Sequence, residues 1–178
     1  MKRSIPVLAC ALGVLLAAGA AAAPAQVITA AGGFRPVPHA AFMPDRAATY
    51  KVVFAMTRPS AQPGAVNPAL ERVARTVNLY AASGVPLDHL KFVAIAYGPA
   101  TALVLDDARY RAKFGVANPN LPVIAQLRKA GVTVAVCGQA VVESHFQDAW
   151  VAKDVEVALS ALTTITELQQ QGYALMPL

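Results

Sequence analysis

Three short runs constrain this chain more than any other feature: Tyr50–Thr57 (YKVVFAMT), Lys91–Ala96 (KFVAIA) and Val132–Cys137 (VTVAVC). Each has the length and the β-branched and aromatic content of a strand. The third has no polar residue apart from Thr133, and such an unalternating run fits a parallel strand covered on both faces. Between the runs lie segments of helical spacing. Asn67-Pro68 supplies an N-cap followed by proline at the first helical position. Leu70, Val73, Ala74, Val77 and Tyr80 or Ala81 then recur on one face, and Gly84 closes the helix. Short helical stretches are expected over residues 100–105 and 107–113. Asn120 opens a further helix, with Asn118 or Asn120 as its cap, Pro122 in its first turn, and Gly131 as its stop. Val155–Leu159 reads as a fourth strand, Ala161–Gln171 as a helix capped by Ser160 and ended by Gly172, and Tyr173–Met176 as a last short strand. Strands alternating with helices imply βαβ units. One α/β domain is therefore expected over residues 49–178: a three-layer α/β/α sandwich with a mostly parallel sheet of about five strands.

The residues ahead of that domain differ in kind. Gly32-Gly33, Pro36, Pro38 and Pro44 interrupt residues 26–48, no period runs through them, and they read as a linker or loosely packed arm. Residues 1–25 have the layout of a secretory signal: Lys2 and Arg3, an apolar run from Ile5 to Ala23, then Ala23-Pro24-Ala25 as the cleavage motif. Alanine contributes little to membrane insertion, Pro6 and the glycines weaken the helix, and no stop-transfer charges follow. No stable membrane anchor is expected after processing, and the location is periplasmic or secreted. Cys10 lies too early, behind too short an apolar stretch, to be a lipid-attachment site. Cleavage after Ala25 takes the chain from 15 Lys and Arg against 10 Asp and Glu to 13 against 10, a net charge of +3 in place of +5. The densest basic cluster, Arg109, Arg111 and Lys113, sits beside Asp106 and Asp107 as a solvated helical face with few aromatics nearby. No nucleic-acid partner is expected.

Several chemical devices are missing. The chain has no GxxxxGK[ST] phosphate loop, no GxGxxG after a strand, no HExxH pair and no GxSxG elbow. His39, His89 and His145 are scattered along the sequence, so no metal site and no cofactor are expected. Asp106 and Asp107 are adjacent and point in different directions on a helix. That leaves Cys137, the last residue of the third strand. Parallel sheets form their ligand crevice outside the carboxyl ends of the strands. Gly138 allows close backbone approach or an unusual dihedral angle. Amides at Gln139-Ala140 would favour a thiolate, and His145 is a candidate assistant. Gln139 can hydrogen-bond a ligand or satisfy loop backbone. A small buried hydrophobe is the competing role for Cys137. Once Cys10 leaves with the signal, no internal disulfide can form.

Read in order, Tyr97-Gly98-Pro99-Ala100-Thr101, Asn118-Pro119-Asn120-Leu121, Ala130-Gly131-Val132, Val136-Cys137-Gly138-Gln139, Ala158–Thr164, Leu168-Gln169 and Gly172-Tyr173 resemble the DsrE/DsrF-like sulfur-relay family, and within it the exported DsrE family proteins. The resemblance runs from Tyr50 onward. It implies a YchN-like sandwich that tends to form homo-oligomers, and a cysteine, Cys137, that carries sulfur as a persulfide. Relatives often have histidine before the Gly-Pro where this chain has Tyr97. The site so implied comprises Cys137 with Tyr97, Gly98, Gly138, Gln139 and His145, in a carrier more than a turnover enzyme. Its partners would be a sulfur donor or acceptor protein and further copies of the chain. The alternative is a small-molecule or protein-binding oligomeric module whose cysteine is structural.

Overall fold

The computed structural model describes residues 26–178; the signal-like segment and Cys10 lie outside the described residues. The three apolar runs become neighbouring parallel strands, β1 (Tyr50–Met56), β2 (Leu90–Ala96) and β3 (Thr133–Cys137). Short strands β4 (Glu156–Ala158) and β5 (Ala174–Pro177) extend the sheet to the order β4-β3-β2-β1-β5, with every pairing parallel. The chain is an α/β sandwich on a five-stranded parallel sheet, as its alternating pattern predicts.

Successive strand side chains point to opposite faces, and the two faces are covered unequally. Val52, Phe54 and Met56 of β1, with Phe92, Val134 and Val136, meet α1 (Pro68–Ala82) and α3 (Leu121–Lys129) through Leu70, Val73, Val77, Val123, Ile124 and Leu127. Phe54 and Phe92 pack edge to face at 5.3 Å, and burying each ring contributes about 1.5–3 kcal/mol. On the opposite face Val53, Ile95, Ala135 and Cys137 meet a smaller set: Ala140, Ala161, and the partly buried Ile165 and Leu168 of α5 (Ala161–Gln170). Crossover handedness explains the division. Right-handed crossovers keep their helices on one face while the chain steps across the sheet in one direction. The steps from β1 to β2 to β3 do so, whereas the return from β4 to β5 reverses and carries α5 to the other face.

Local signals set the helix ends. Asn67 Oδ1 accepts from Ala69 N and Leu70 N at the start of α1, at 2.9 and 3.4 Å. Asp106 Oδ1 accepts from Arg109 N at 2.7 Å at the start of α2 (Asp107–Phe114). The expected cap from Asn120 is not made. Asn120 stands at the cap position in helical backbone geometry (φ −81°, ψ −27°) without a side-chain cap bond. A capping residue ordinarily has non-helical backbone, which Asn120 lacks, and Pro122 at the second position has no N–H to offer. The side chain is used elsewhere: Oδ1 accepts from Asn67 N at 2.8 Å and Nδ2 donates to Asn118 Oδ1 at 2.9 Å. Asn118 Nδ2 donates to the carbonyls of Leu103 and Leu105, at 3.0 and 2.7 Å, and its own N–H donates to Asp107 Oδ1 at 2.9 Å. Hydrogen bonds from Arg111 first, then from the Asn118 amide, hold the Asp107 carboxyl below its ordinary pKa.

Residues 26–48 contain no helix or strand, yet their first part is docked, not loose. Ile28 is fully buried, and Asn78 of α1 clasps its backbone: Ile28 N donates to Asn78 Oδ1 at 2.8 Å, and Nδ2 donates to Ile28 O at 2.9 Å and to Gly32 O at 3.1 Å. Gln126 Oε1 accepts from Thr29 N and Ala30 N at 2.7 and 3.0 Å. Gly32 has φ +76°, and a Cβ there would lie 2.4 Å from Arg75 N, so glycine is required by both dihedral and contact. This docking escapes periodicity because it is made backbone to side chain across distant parts of the chain.

Truncating Asn120 tests the buried asparagine chain. Asn120→Ala leaves Asn67 N without its acceptor in a buried position, and a loss of about 1–3 kcal/mol in unfolding free energy is expected. Urea denaturation checks this; a change below about 0.5 kcal/mol, the range of neutral surface substitutions, would show that the network contributes nothing to stability.

Candidate functional site

The carboxyl ends of β2, β3 and β4 lie side by side, and a cleft of about 420 Å³ opens over them. From β2 come Tyr97 and Gly98. Tyr97 is extended (φ −156°, ψ 170°) and its N–H donates to Met56 O at 3.1 Å, which prolongs the ladder by one bond. Gly98 then turns the chain at φ +55°, and the buried Thr101 fastens the turn by donating its hydroxyl to Gly98 O at 2.7 Å. From β3 comes Cys137, with α4 (Gly138–Glu143) beginning at the next residue and adding Gln139, Ala140 and Glu143 to the wall. From β4 the chain passes through Leu159 to Ser160, Ala161 and Leu162, which complete the rim.

Cys137 is the one cysteine among the described residues; its thiol is free and only 5% of the residue is exposed. It belongs to two environments. Val53, Ile95, Ala135, Ala140 and Ala161 pack around it as the smaller core, and it also forms part of the cleft lining. Gly138 is needed for close approach: a Cβ would stand 2.8 Å from Ala158 O, so any side chain would push the end of β4 away from β3. Gln139 is exposed, and its Nε2 lies 3.5 Å from Leu159 O, a long and weak hydrogen bond that leaves the amide available to a ligand.

The N-terminal end of α5 supplies the favourable electrostatics. Ser160 Oγ accepts from Leu162 N at 3.2 Å, satisfying one of the first-turn amides. The others have no partner within the helix, and the positive end of the helix dipole favours an anionic group at the rim. Glu143 works against this as the one carboxylate lining the cleft. The sequence alone does not single out Glu143 and Leu162 as lining residues. Glu143 was legible in principle, since it stands four residues after Gln139 and so shares its helix face.

The remaining expected site residue, His145, lies elsewhere. It follows the far end of α4, exposed and left-handed at φ +57°, and lines a separate depression with Arg109, Lys113 and Trp150. Of the residues expected together, Tyr97, Gly98, Cys137 and Gln139 line one cleft, Gly138 supports it from behind, and His145 does not join them. The other histidines are no nearer: His39 is in the segment before β1 and His89 in the turn entering β2. Among the described residues no three His, Cys, Asp or Glu side chains gather as metal ligands.

Comparison with known proteins agrees with this architecture. No curated protein matches the chain. A solved structure of a protein of unknown function from Methanobacterium thermoautotrophicum is similar, at 18% identity and a TM-score of 0.50, covering 72% of this chain and 99% of that one. At such an identity the likeness concerns the fold. Residues 50–178, from the first residue of β1 through all five strands, match the DsrE/DsrF-like family, and the chain belongs to that family.

Proposed function

We propose that this protein is an exported sulfane-sulfur carrier whose working group is Cys137. The observation that carries the reading is the position of the sole described cysteine, in the lining of a cleft of about 420 Å³ at the carboxyl edge of the sheet, beside the N-terminus of α5. Family membership supports sulfur relay in general terms. In the proposed step the Cys137 thiolate attacks the outer sulfur of a donor persulfide. One S–S bond forms, the donor's S–S bond breaks, and the donor leaves as a thiolate with the electron pair. An acceptor thiolate then attacks the outer sulfur on Cys137 and restores the starting thiolate. The exchange is redox-neutral and needs no cofactor. Tyr97 and Gln139, both in the cleft lining, would hydrogen-bond the incoming sulfur species, and the α5 amides would favour its negative charge.

A second reading, a binding module with a structural cysteine, is favoured by the tight packing of Cys137 against Val53, Ile95 and Ala161. Alkylation of the folded protein at neutral pH, followed by peptide mapping, separates the two. A carrier modifies at Cys137, gains the mass of sulfur from a polysulfide donor, and loses both reactions on Cys137→Ala while remaining folded. A thiol that reacts only in denaturant, with a Cys137→Ala variant whose main defect is a lowered Tm, would establish the structural role and end the carrier reading.

Export rests on the basic start, apolar run and Ala23-Pro24-Ala25 motif. The exported protein should begin at Gln26 by intact-mass analysis; a membrane-bound chain retaining Lys2 and Arg3 would be incompatible with it.

Self-association is the remaining part of the proposal. Val142, Leu159 and Leu162 are each more than 60% exposed, and Val157 on the edge strand β4 is 43% exposed, on the face it shares with its register partner Val136. Apolar surface of that kind favours burial against another copy of the chain. Light scattering at micromolar concentration should report an oligomer, and Leu159→Glu with Leu162→Glu should reduce it to monomer. A monomeric parent protein would remove self-association from the reading.

A further inference from the structure

Beyond the thiol cleft, the depression that receives His145 has a chemistry of its own. It encloses about 460 Å³ between α2 and the segment 144–150, within the range of small-molecule sites. Arg109 and Lys113 stand four residues apart on α2 and so on one helix face. The Arg109 guanidinium lies 4.7 Å from the Trp150 ring centre, and Lys113 Nζ lies 5.4 Å from that of Phe146. These contacts fix both cations against aromatic faces without neutralising them. Among the described residues neither has a carboxylate within salt-bridge distance. The neighbouring acids are used otherwise: Asp106 caps α2 through Arg109 N, and Asp107 pairs with Arg111 at 2.7 Å.

The walls are held by backbone bonds. Asp106 N donates to Trp150 O at 2.8 Å, Ala152 N donates to Val104 O at 2.8 Å, and Leu105 bridges Val151, which fastens the Trp150 turn to the start of α2. Phe146 N donates to Val141 O at 3.0 Å, and the Phe146 and Trp150 ring centres stand 6.3 Å apart at 43°. His145, immediately before Phe146 in sequence, keeps its left-handed backbone at the rim, a conformation uncommon outside glycine although histidine tolerates it better than most.

We propose that this depression binds a small anion with a flat apolar body, such as an aryl carboxylate or sulfonate: the anionic group bridges Arg109 and Lys113, and the ring rests on Phe146 and Trp150. The site is distinct from the Cys137 cleft and does not depend on the sulfur chemistry proposed there.

Trp150 is the only tryptophan in the chain, so its emission reports on this depression alone. Benzenesulfonate, titrated into the full exported chain, should produce a saturable change in Trp150 emission and a matching calorimetric isotherm, with Kd below about 1 mM. The double variant Arg109→Gln with Lys113→Gln, both solvent-exposed positions, should keep its circular dichroism and bind at least tenfold more weakly by calorimetry. Inorganic sulfate, lacking the ring, and benzyl alcohol, lacking the charge, should each also bind at least tenfold more weakly. Alkylating Cys137 should leave benzenesulfonate binding unchanged. The proposal is overturned by an absence of saturable binding up to about 10 mM, by equal affinity in the double variant, by sulfate or benzyl alcohol binding as tightly, or by loss of binding on alkylation.

Discussion

Three buried asparagines, Asn67, Asn118 and Asn120, hold the carboxyl edge of the sheet together, and the loops around the cleft depend on them. Through Asn67 Nδ2 the chain of bonds reaches Arg58 O after β1, and through Asn118 it reaches the Leu103 and Leu105 carbonyls after β2. Asn120 joins the two at the start of α3. The links to Asn67 N and to the Leu103 and Leu105 carbonyls serve buried backbone groups, each of which would cost about 1–3 kcal/mol if left unpaired. The bonds therefore select one loop arrangement from many. Tyr110 adds a further clasp, donating its hydroxyl to Pro63 O at 2.9 Å; burial pushes its phenol above the ordinary pKa, so the donor is retained.

Winding order then decides where chemistry can sit. The winding of the chain reverses between β4 and β5, and the β1–β5 edge at that reversal is taken by the chain itself: Leu178 N donates to Ala55 O at 2.9 Å and Thr57 N to Leu178 O at 3.3 Å. The open crevice is left over β2, β3 and β4. The same reversal sends α5 to the thinly covered face and brings its N-terminus against the end of β3. Cys137 is thus a core residue and a cleft residue for one reason: it is the last inward position of a strand whose overlying layer ends there.

The strands and most helix ends were legible because their signals are local. Apolar runs, Asn67-Pro68 before α1, and glycine after helices depend on few residues, and the structure places elements there within a residue or two. The docking of the arm's first residues is not legible because the residues that fasten it, Asn78 and Gln126, sit about 50 and 97 positions away on helices whose pattern shows only their apolar faces. Asparagine before a helix ordinarily serves as a cap; of the two candidates, Asn118 Oδ1 accepts from Asn120 N at 3.0 Å, whereas Asn120, already helical in backbone, makes no cap bond. For the site, the strand-end rule pointed to Cys137 and the resemblance added Tyr97, Gly98 and Gln139; the four line one cleft. His145 was drawn in by sequence proximity to Cys137, which says nothing about which side of the intervening helix a residue reaches.

That helix is the last structural step. α4 has six residues and spans roughly 9 Å at about 1.5 Å per residue, enough to carry the chain from one depression to another. Its residues Gln139, Ala140 and Glu143 face the thiol, while Ser144 and His145, just beyond its end, face Arg109 and Trp150. Phe146 N bonded to Val141 O closes the turn and prevents the imidazole from swinging back without unwinding the helix end. Among the described residues no histidine or other basic side chain lines the thiol cleft, so the exchange proposed at Cys137 has no imidazole there to draw on. Proton handling at Cys137 must rest on water, on Glu143, or on a thiol that arrives already ionised. A carrier exchanging sulfur between thiolates needs no more than that, because each exchange releases as a leaving group the same kind of anion that entered as the nucleophile.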